Sequence, residues 1–246
     1  MTKPTVSIIM PMYNTVQFVK AAFDSMLRQT FSDWELIVVD DNSQDGSYEL
    51  ASVLASRDSR IQVHRNEANL GIAKNRHKAV ALCSGEYIGH VDSDDMLERW
   101  ALEEVLAVFK QKPELGLVYT DFAQVGSTGK VEHYSASPDF DVDRLHQHGW
   151  RHFGIYKKSA YDATEGFNTK LLRGCEDGDL FMQIAERFPC YRVPKVLYFY
   201  RNHGQNTTLT MRKCDDCTQR MECNYMRVWA KSANFDPVTF TPLTQE

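Results

Sequence analysis

WELIVVDD, residues 34–41, is a short apolar run, rich in β-branched residues, that stops on two acids. Runs of this kind, with no polar alternation, belong to strands buried on both faces. VSIIM (6–10) reads the same way, and IQVHRN (61–66), EYIGHVD (86–92) and LGLVYTDF (115–122) predict further strands. Between the first two, Val16, Val19, Ala22, Phe23, Met26 and Leu27 recur at helical spacing. Residues 47–57, 71–83 and 97–110 predict helices in the same alternation. Repeated strand–helix–strand units imply an α/β fold: a mostly parallel sheet covered by helices on both faces. Ligands of such sheets bind beyond the carboxyl ends of the strands. Two predicted strands end there in acids, at Asp40–Asp41 and at Asp92.

The chain has 246 residues, 43% hydrophobic and 25% charged, with a formal net charge of −5. That is enough for a large core. It gives no basic stripe for nucleic acid, so no nucleic-acid partner is expected. No stretch approaches the roughly 18–20 apolar residues of a spanning helix. MTKPTVSIIMPMYN reads as a first strand rather than a signal peptide. The six cysteines (Cys83, Cys175, Cys190, Cys214, Cys217, Cys223) are too sparse for a disulfide scaffold. A reducing, cytoplasmic setting is therefore expected. CDDC (214–217) lacks a nearby fourth ligand for structural zinc, and reduced thiols are the simpler reading.

The acids carry the chemistry. HVDSDDM (90–96) puts Asp92, Asp94 and Asp95 within four positions. Hard divalent cations prefer such oxygens, often shared with substrate phosphates. A helix N-cap ahead of MLERWALEEVL is the competing reading, though a cap needs one acid rather than three. An EF-hand is excluded, because Met96 and Leu97 stand where that loop needs a polar ligand and a glycine. VVDDNSQDGS is a turn and cap by itself, but a second acid pair on the same sheet edge could receive a base or a ribose. Glu176, Asp177 and Asp179 in CEDGDLFMQIAERF open a helix, where acids suit the macrodipole, or place a general base at the cleft mouth. Neither GxGxxG after the first strand, GxxxxGK[ST] nor GxSxG is present, which argues against the usual dinucleotide fold, an ATPase and a serine hydrolase.

VSIIMPMYN, ELIVVDDNSQDGS, NLGIAKNR, GEYIGHVDSDD, GCEDGDLFMQIA and YRNH, in this order, resemble the family 2 glycosyltransferases of GT-A fold, from about Val6 to His203. The resemblance implies a Rossmann-like GT-A domain over 1–205, with a nucleotide-sugar half (1–122) and a less regular acceptor and base half (123–205). Residues 206–246 would be a partly helical C-terminal tail. It implies a nucleotide-diphosphate-sugar donor, a UDP-sugar foremost, and a Mn²⁺ or Mg²⁺ cofactor. The reaction would be inverting, onto a hydroxyl of a glycan or lipid-linked acceptor. Carried over residue by residue, Pro11, Tyr13, Asn14, Asp40, Asp41, Asn69, Gly71, Arg76, Asp92 and Ser93 would line the nucleotide-sugar pocket. Arg76 ranks low there, as a helix arginine usually solvated. Asp94 would hold the metal, with His203 assisting and Asp95 a weaker third, and Asp177 would be the catalytic base.

The helix QIAERF departs from the QxxRW of processive membrane synthases, so a non-processive enzyme of surface-polysaccharide or glycan assembly is expected, cytoplasmic or peripheral at the membrane's inner face. The rival is a catalytically silent nucleotide-sugar-binding or scaffolding domain. Joint retention of Asp92, Asp94, Asp177 and His203 argues against it. Three local expectations complete the reading: a loop over 123–150 with Trp150–His152 at the acceptor wall, an edge strand at YRVPKVLYFYR because of its proline, and an amphipathic helix over 211–232.

Overall fold

The computed structural model describes residues 3–141, 153–171, 176–204 and 206. In chain order they form β1 (Val6–Met12), α1 (Val19–Leu27), β2 (Trp34–Asp40), α2 (Ser47–Ala55), β3 (Ile61–Arg65), α3 (Ile72–Leu82) and β4 (Tyr87–His90). Then come β5 (Met96–Leu97), α4 (Ala101–Gln111), β6 (Leu117–Gly126), β7 (Val131–Ser135), β8 (Gly154–Lys157), α5 (Lys158–Asp162), α6 (Glu176–Ala185) and β9 (Cys190–Asn202).

Every residue of β1 and β2 is buried, as their unbroken apolar runs require. Period-two geometry splits them between two layers. Ile8, Met10, Leu36 and Val38 pack with Phe23 of α1, Ala51 of α2 and Leu102 and Val105 of α4. Ile9, Ile37 and Val39 face Ala79 and Val80 of α3 and share a core with Leu180 and Phe181 of α6. Helices thus cover both faces, as the sequence predicts.

The strands run β3-β2-β1-β4-β8-β6-β9-β5 in one sheet, with β7 hairpinned on β6. β1 lies parallel between β2 and β4, and its register sets Met12 opposite Asp40 and Ile9 opposite His90. The loops that leave Met12, Asp40 and His90 therefore emerge on one edge. β8 runs antiparallel between β4 and β6, while β6 and β9 are parallel to each other. The sheet is continuous across both halves of the chain.

Two expectations change. Residues 123–135 are not loop: β6 continues to Gly126 and turns through Gly129, at φ +83°, into β7. β7 is mostly exposed, so its polar residues disguised a solvent-facing strand as a loop. The proline of YRVPKVLYFYR does not make β9 an edge strand throughout, because β9 pairs with β6 along its length and with β5 at Tyr198 and Phe199. Between Val193 and Val196 the register slips, so Pro194 sits in a bulge where no ladder hydrogen bond is asked of it. Trp150–His152 and the 211–232 helix, with CDDC, lie outside the described residues, as does most of the tail.

Candidate active site

The first two loops at the sheet edge are sewn together. Asn14 and Asn42 take left-handed backbone (φ 52° and 64°), which asparagine tolerates. The Asn14 amide donates to Ser43 Oγ at 2.9 Å, and Asn14 Oδ1 accepts from the Gln44 amide at 2.9 Å. Tyr13 beside them is half exposed and Pro11 is buried in β1.

Asp40 and Asp41 are both buried but do different things. Asp40 Oδ2 accepts from the Ser43 amide at 3.1 Å and lies 3.4 Å from Arg65 Nε, whereas its Oδ1 is buried with no hydrogen-bond partner among the described residues. Asp41 Oδ1 accepts from Asn66 Nδ2 (2.8 Å) and the Leu70 amide (2.9 Å), and its Oδ2 from the Gly71 amide (2.9 Å). Asp41 thus anchors the entry to α3, where a carboxylate also suits the helix dipole. Gly71, at φ 84° and ψ 158°, adopts backbone that side-chain-bearing residues avoid, and Asn69 Oδ1 also accepts from its amide at 3.1 Å.

Arg76 overturns the solvated reading. It is only 3% exposed and lies in the stripe of Ala73, Ala79 and Val80 that α3 turns inward. Its Nη2 donates to Asp92 Oδ1 at 2.7 Å, and its Nη1 lies 3.5 Å from Glu176 Oε1 and 3.9 Å from Asp177 Oδ2. Burial alone would weaken its hold on the proton, but attraction to Asp92, then Glu176 and Asp177, outweighs that and raises its pKa.

The four residues of DSDD reach four destinations. Asp92, 28% exposed, receives Arg76. Ser93 is buried, its Oγ accepting from Thr15 Oγ1 at 2.9 Å. Asp94 Oδ2 meets His203 Nε2 at 2.9 Å, a contact between residues 109 apart in the chain. His203 stacks on Phe18, with ring centroids 4.5 Å apart. Asp95 turns inward: its Oδ2 accepts from Tyr198 Oη at 2.6 Å and its Oδ1 from the Arg201 amide at 2.7 Å. Burial, then the neighbouring Asp94 and Asp92 charges, pushes the Asp95 carboxyl well above the usual carboxylate range. Both Asp95 oxygens are thus engaged by protein donors, and Asp95 braces its loop against β9. Arg201 completes the brace, donating from Nε to the Asp94 carbonyl at 2.9 Å and from Nη1 to the Ser127 carbonyl at 2.8 Å.

EDGD divides in the same manner. Asp179 is fully buried and accepts from Gln183 Nε2 at 2.8 Å, and Gln183 in turn holds the Glu165 amide and the Gly166 carbonyl. Glu176 is buried against Arg76. Its pKa is raised, burial being the leading cause and Arg76 working against it. Asp177 keeps a third of its side chain exposed and accepts from the Gly178 amide at 2.7 Å.

The sequence reading missed Arg201, Tyr198 and the burial of Glu176 and Arg76. Arg76 was discoverable, since a charge in an inward-facing helical stripe must be paired. Among the described residues no three His, Cys, Asp or Glu side chains form a ready metal cage. Asp94 and His203 supply two converging donors of types that Mn²⁺ accepts.

The crossover sheet with acid-bearing loops at its carboxyl edge is of the GT-A class of glycosyltransferase fold, as the solved structures it resembles show. The model of glycosyl transferase family 2 matches residues 7–168, and the chain belongs to that family. It is 32% identical over 208 residues to the chondroitin synthase of Pasteurella multocida, a match covering 84% of this chain and 21% of that protein. The chain thus spans about a fifth of that relative's length. In structure it is similar to S. aureus TarS, solved as residues 1–349 in complex with UDP-GlcNAc (TM-score 0.71, 20% identity, 94% of this chain and 66% of that one). It is also similar to the mannosyltransferase PcManGT of Pyrobaculum calidifontis, solved in complex with GDP-Man and Mn²⁺ (TM-score 0.66, 18% identity, 96% and 66%).

Proposed function

We propose that this chain transfers one sugar, with inversion and without processivity, from a nucleotide-diphosphate sugar to a hydroxyl of a glycan or lipid-linked acceptor. UDP-sugars are the leading donors, and the setting is assembly of a polysaccharide or other glycan at the cytoplasmic face of a membrane. Among the described residues no helix is long and apolar enough to cross one. The observation that carries the reading is the Asp94–His203 contact at 2.9 Å, because the two residues assigned to metal and diphosphate meet although 109 positions apart in the chain.

Asp94 and His203 would hold Mn²⁺ or Mg²⁺, whose remaining positions suit diphosphate oxygens and water. A bound cation there supplies charge neutralisation to the departing diphosphate. Tyr13, Asn14, Asp40 and the Asn69–Gly71 turn would flank the base and ribose, with Asp41 fixing that turn, Pro11 and Ser93 shaping the floor, and Asp92 meeting the ribose. Asp177, the exposed member of its cluster, would take the proton from the acceptor hydroxyl as that oxygen attacks the anomeric carbon.

A thermal-shift panel of UDP-, GDP-, CDP- and dTDP-sugars, run with Mn²⁺ and again with EDTA, tests this directly. At least one donor should raise the midpoint with Mn²⁺, and less so with EDTA. A flat panel in both conditions would end the donor reading.

A further inference from the structure

Arg76 stands at the centre of the site, yet it is not bonded as a purely structural cation is. A buried guanidinium is normally retained with its donors satisfied. Among the described residues Nε and Nη1 are buried without hydrogen-bond partners, while Nη2 makes a short bond to Asp92. On the α6 side the separations, 3.5 Å to Glu176 and 3.9 Å to Asp177, exceed the roughly 2.7–2.9 Å of a made charge-assisted bond. One cation therefore serves three carboxylates, tightly on the donor side and loosely on the base side. Tyr198 of β9 also acts on it, and Tyr156 of β8 feels its charge.

We propose that Arg76 is a positioning residue that couples the two half-sites. It holds Asp92 when the donor is absent and shifts toward Glu176 and Asp177 when the donor's hydroxyls engage Asp92, setting the base only once a donor is in place. The unmet Nη1 and Nε donors give it hydrogen bonds to gain in that second position. Planar geometry matters, because a lysine ammonium is a point charge that cannot span carboxylates on α6 and on the β4 loop together. The proposal rests on the roles given above to Asp92 and Asp177.

Coupling of this kind is reciprocal, so a change on the base side must be felt by nucleotide. The test is titration of UDP, with Mn²⁺ present, into the wild-type protein, Glu176→Gln, Arg76→Lys and the double variant. Glu176→Gln, which removes a competitor for the guanidinium, should change UDP affinity about fivefold or more when Arg76 is present, and less than about twofold in the Arg76→Lys background. Arg76→Lys should also slow turnover at saturating donor while its thermal midpoint stays close to wild type. Equal effects of Glu176→Gln in both backgrounds, or none in either, overturn the coupling.

A second arm does not need nucleotide. Arg76→Met should lower the thermal midpoint, and adding Glu176→Gln should recover part of the loss, because the unpaired buried carboxylate is removed. Simple additivity of the two losses overturns the shared site. If wild type binds no UDP, the UDP-donor reading falls, and this second arm alone decides the ionic coupling.

Discussion

The acid clusters of the two halves, DSDD at 92–95 and EDGD at 176–179, have nearly the same composition and divide their labour in nearly the same way. Each commits one acid wholly to the protein: Asp95 to Tyr198 and Arg201, and Asp179 to Gln183. Each turns at least one toward Arg76: Asp92 closely, and Glu176 with Asp177 at a distance. Each keeps one for chemistry, which we assign to Asp94 beside His203 and to Asp177 at the cleft. They differ in what neutralises them. DSDD has a histidine, two arginines and a tyrosine around it, whereas EDGD shares Arg76 with Asp92 at longer range. Acids in a row therefore say little about role until the surrounding donors are known.

The largest effect is expected of Asp177→Asn. Turnover should fall roughly 10²–10⁴-fold, the usual contribution of a general base, while donor binding holds. Unchanged turnover would remove Asp177 from its role. Next in size, Asp94→Asn and His203→Ala should each weaken Mn²⁺ binding by at least the roughly 10–100-fold that losing even an outer-shell partner costs, read by titration calorimetry. The same substitutions made at Asp177 should leave Mn²⁺ binding alone. Smaller again, Asp95→Ala strands the Tyr198 hydroxyl and the Arg201 amide. It should cost about 1–3 kcal/mol in urea unfolding, leaving folded molecules able to bind nucleotide.

The smallest effect is a pH dependence. Glu176 has a raised folded pKa, so the stability it contributes is present below the ordinary carboxylate range and is lost as pH rises through its folded value. Glu176→Gln should flatten the fall in thermal midpoint across that window. An unaltered slope would place the titration elsewhere.

Much of the fold was legible because β1 and β2 are unbroken apolar runs, and such runs admit few placements. The acids that follow them were visible for the same reason, since a strand's end fixes where its next residues emerge. The β6–β7 hairpin was hidden because an exposed strand carries the residues of a loop. Arg76 was misjudged because its importance lies in tertiary pairing across three elements, and only its place in the inward stripe of α3 hinted at it. Arg201 and Tyr198 could not be found at all from spacing. Their partner Asp95 lies more than a hundred residues earlier, joined through a β9–β5 pairing two residues long.

We assign to Asp177 the proton transfer of a single displacement at the anomeric carbon. The most direct measurement follows, by proton NMR, the first sugar anomer released when water takes the acceptor's place, using whichever donor the thermal panel selects. The expected product is the anomer opposite to that of the donor, appearing before mutarotation and absent with Asp177→Asn. Release of the donor's own anomer, or release that Asp177→Asn does not slow, would contradict it.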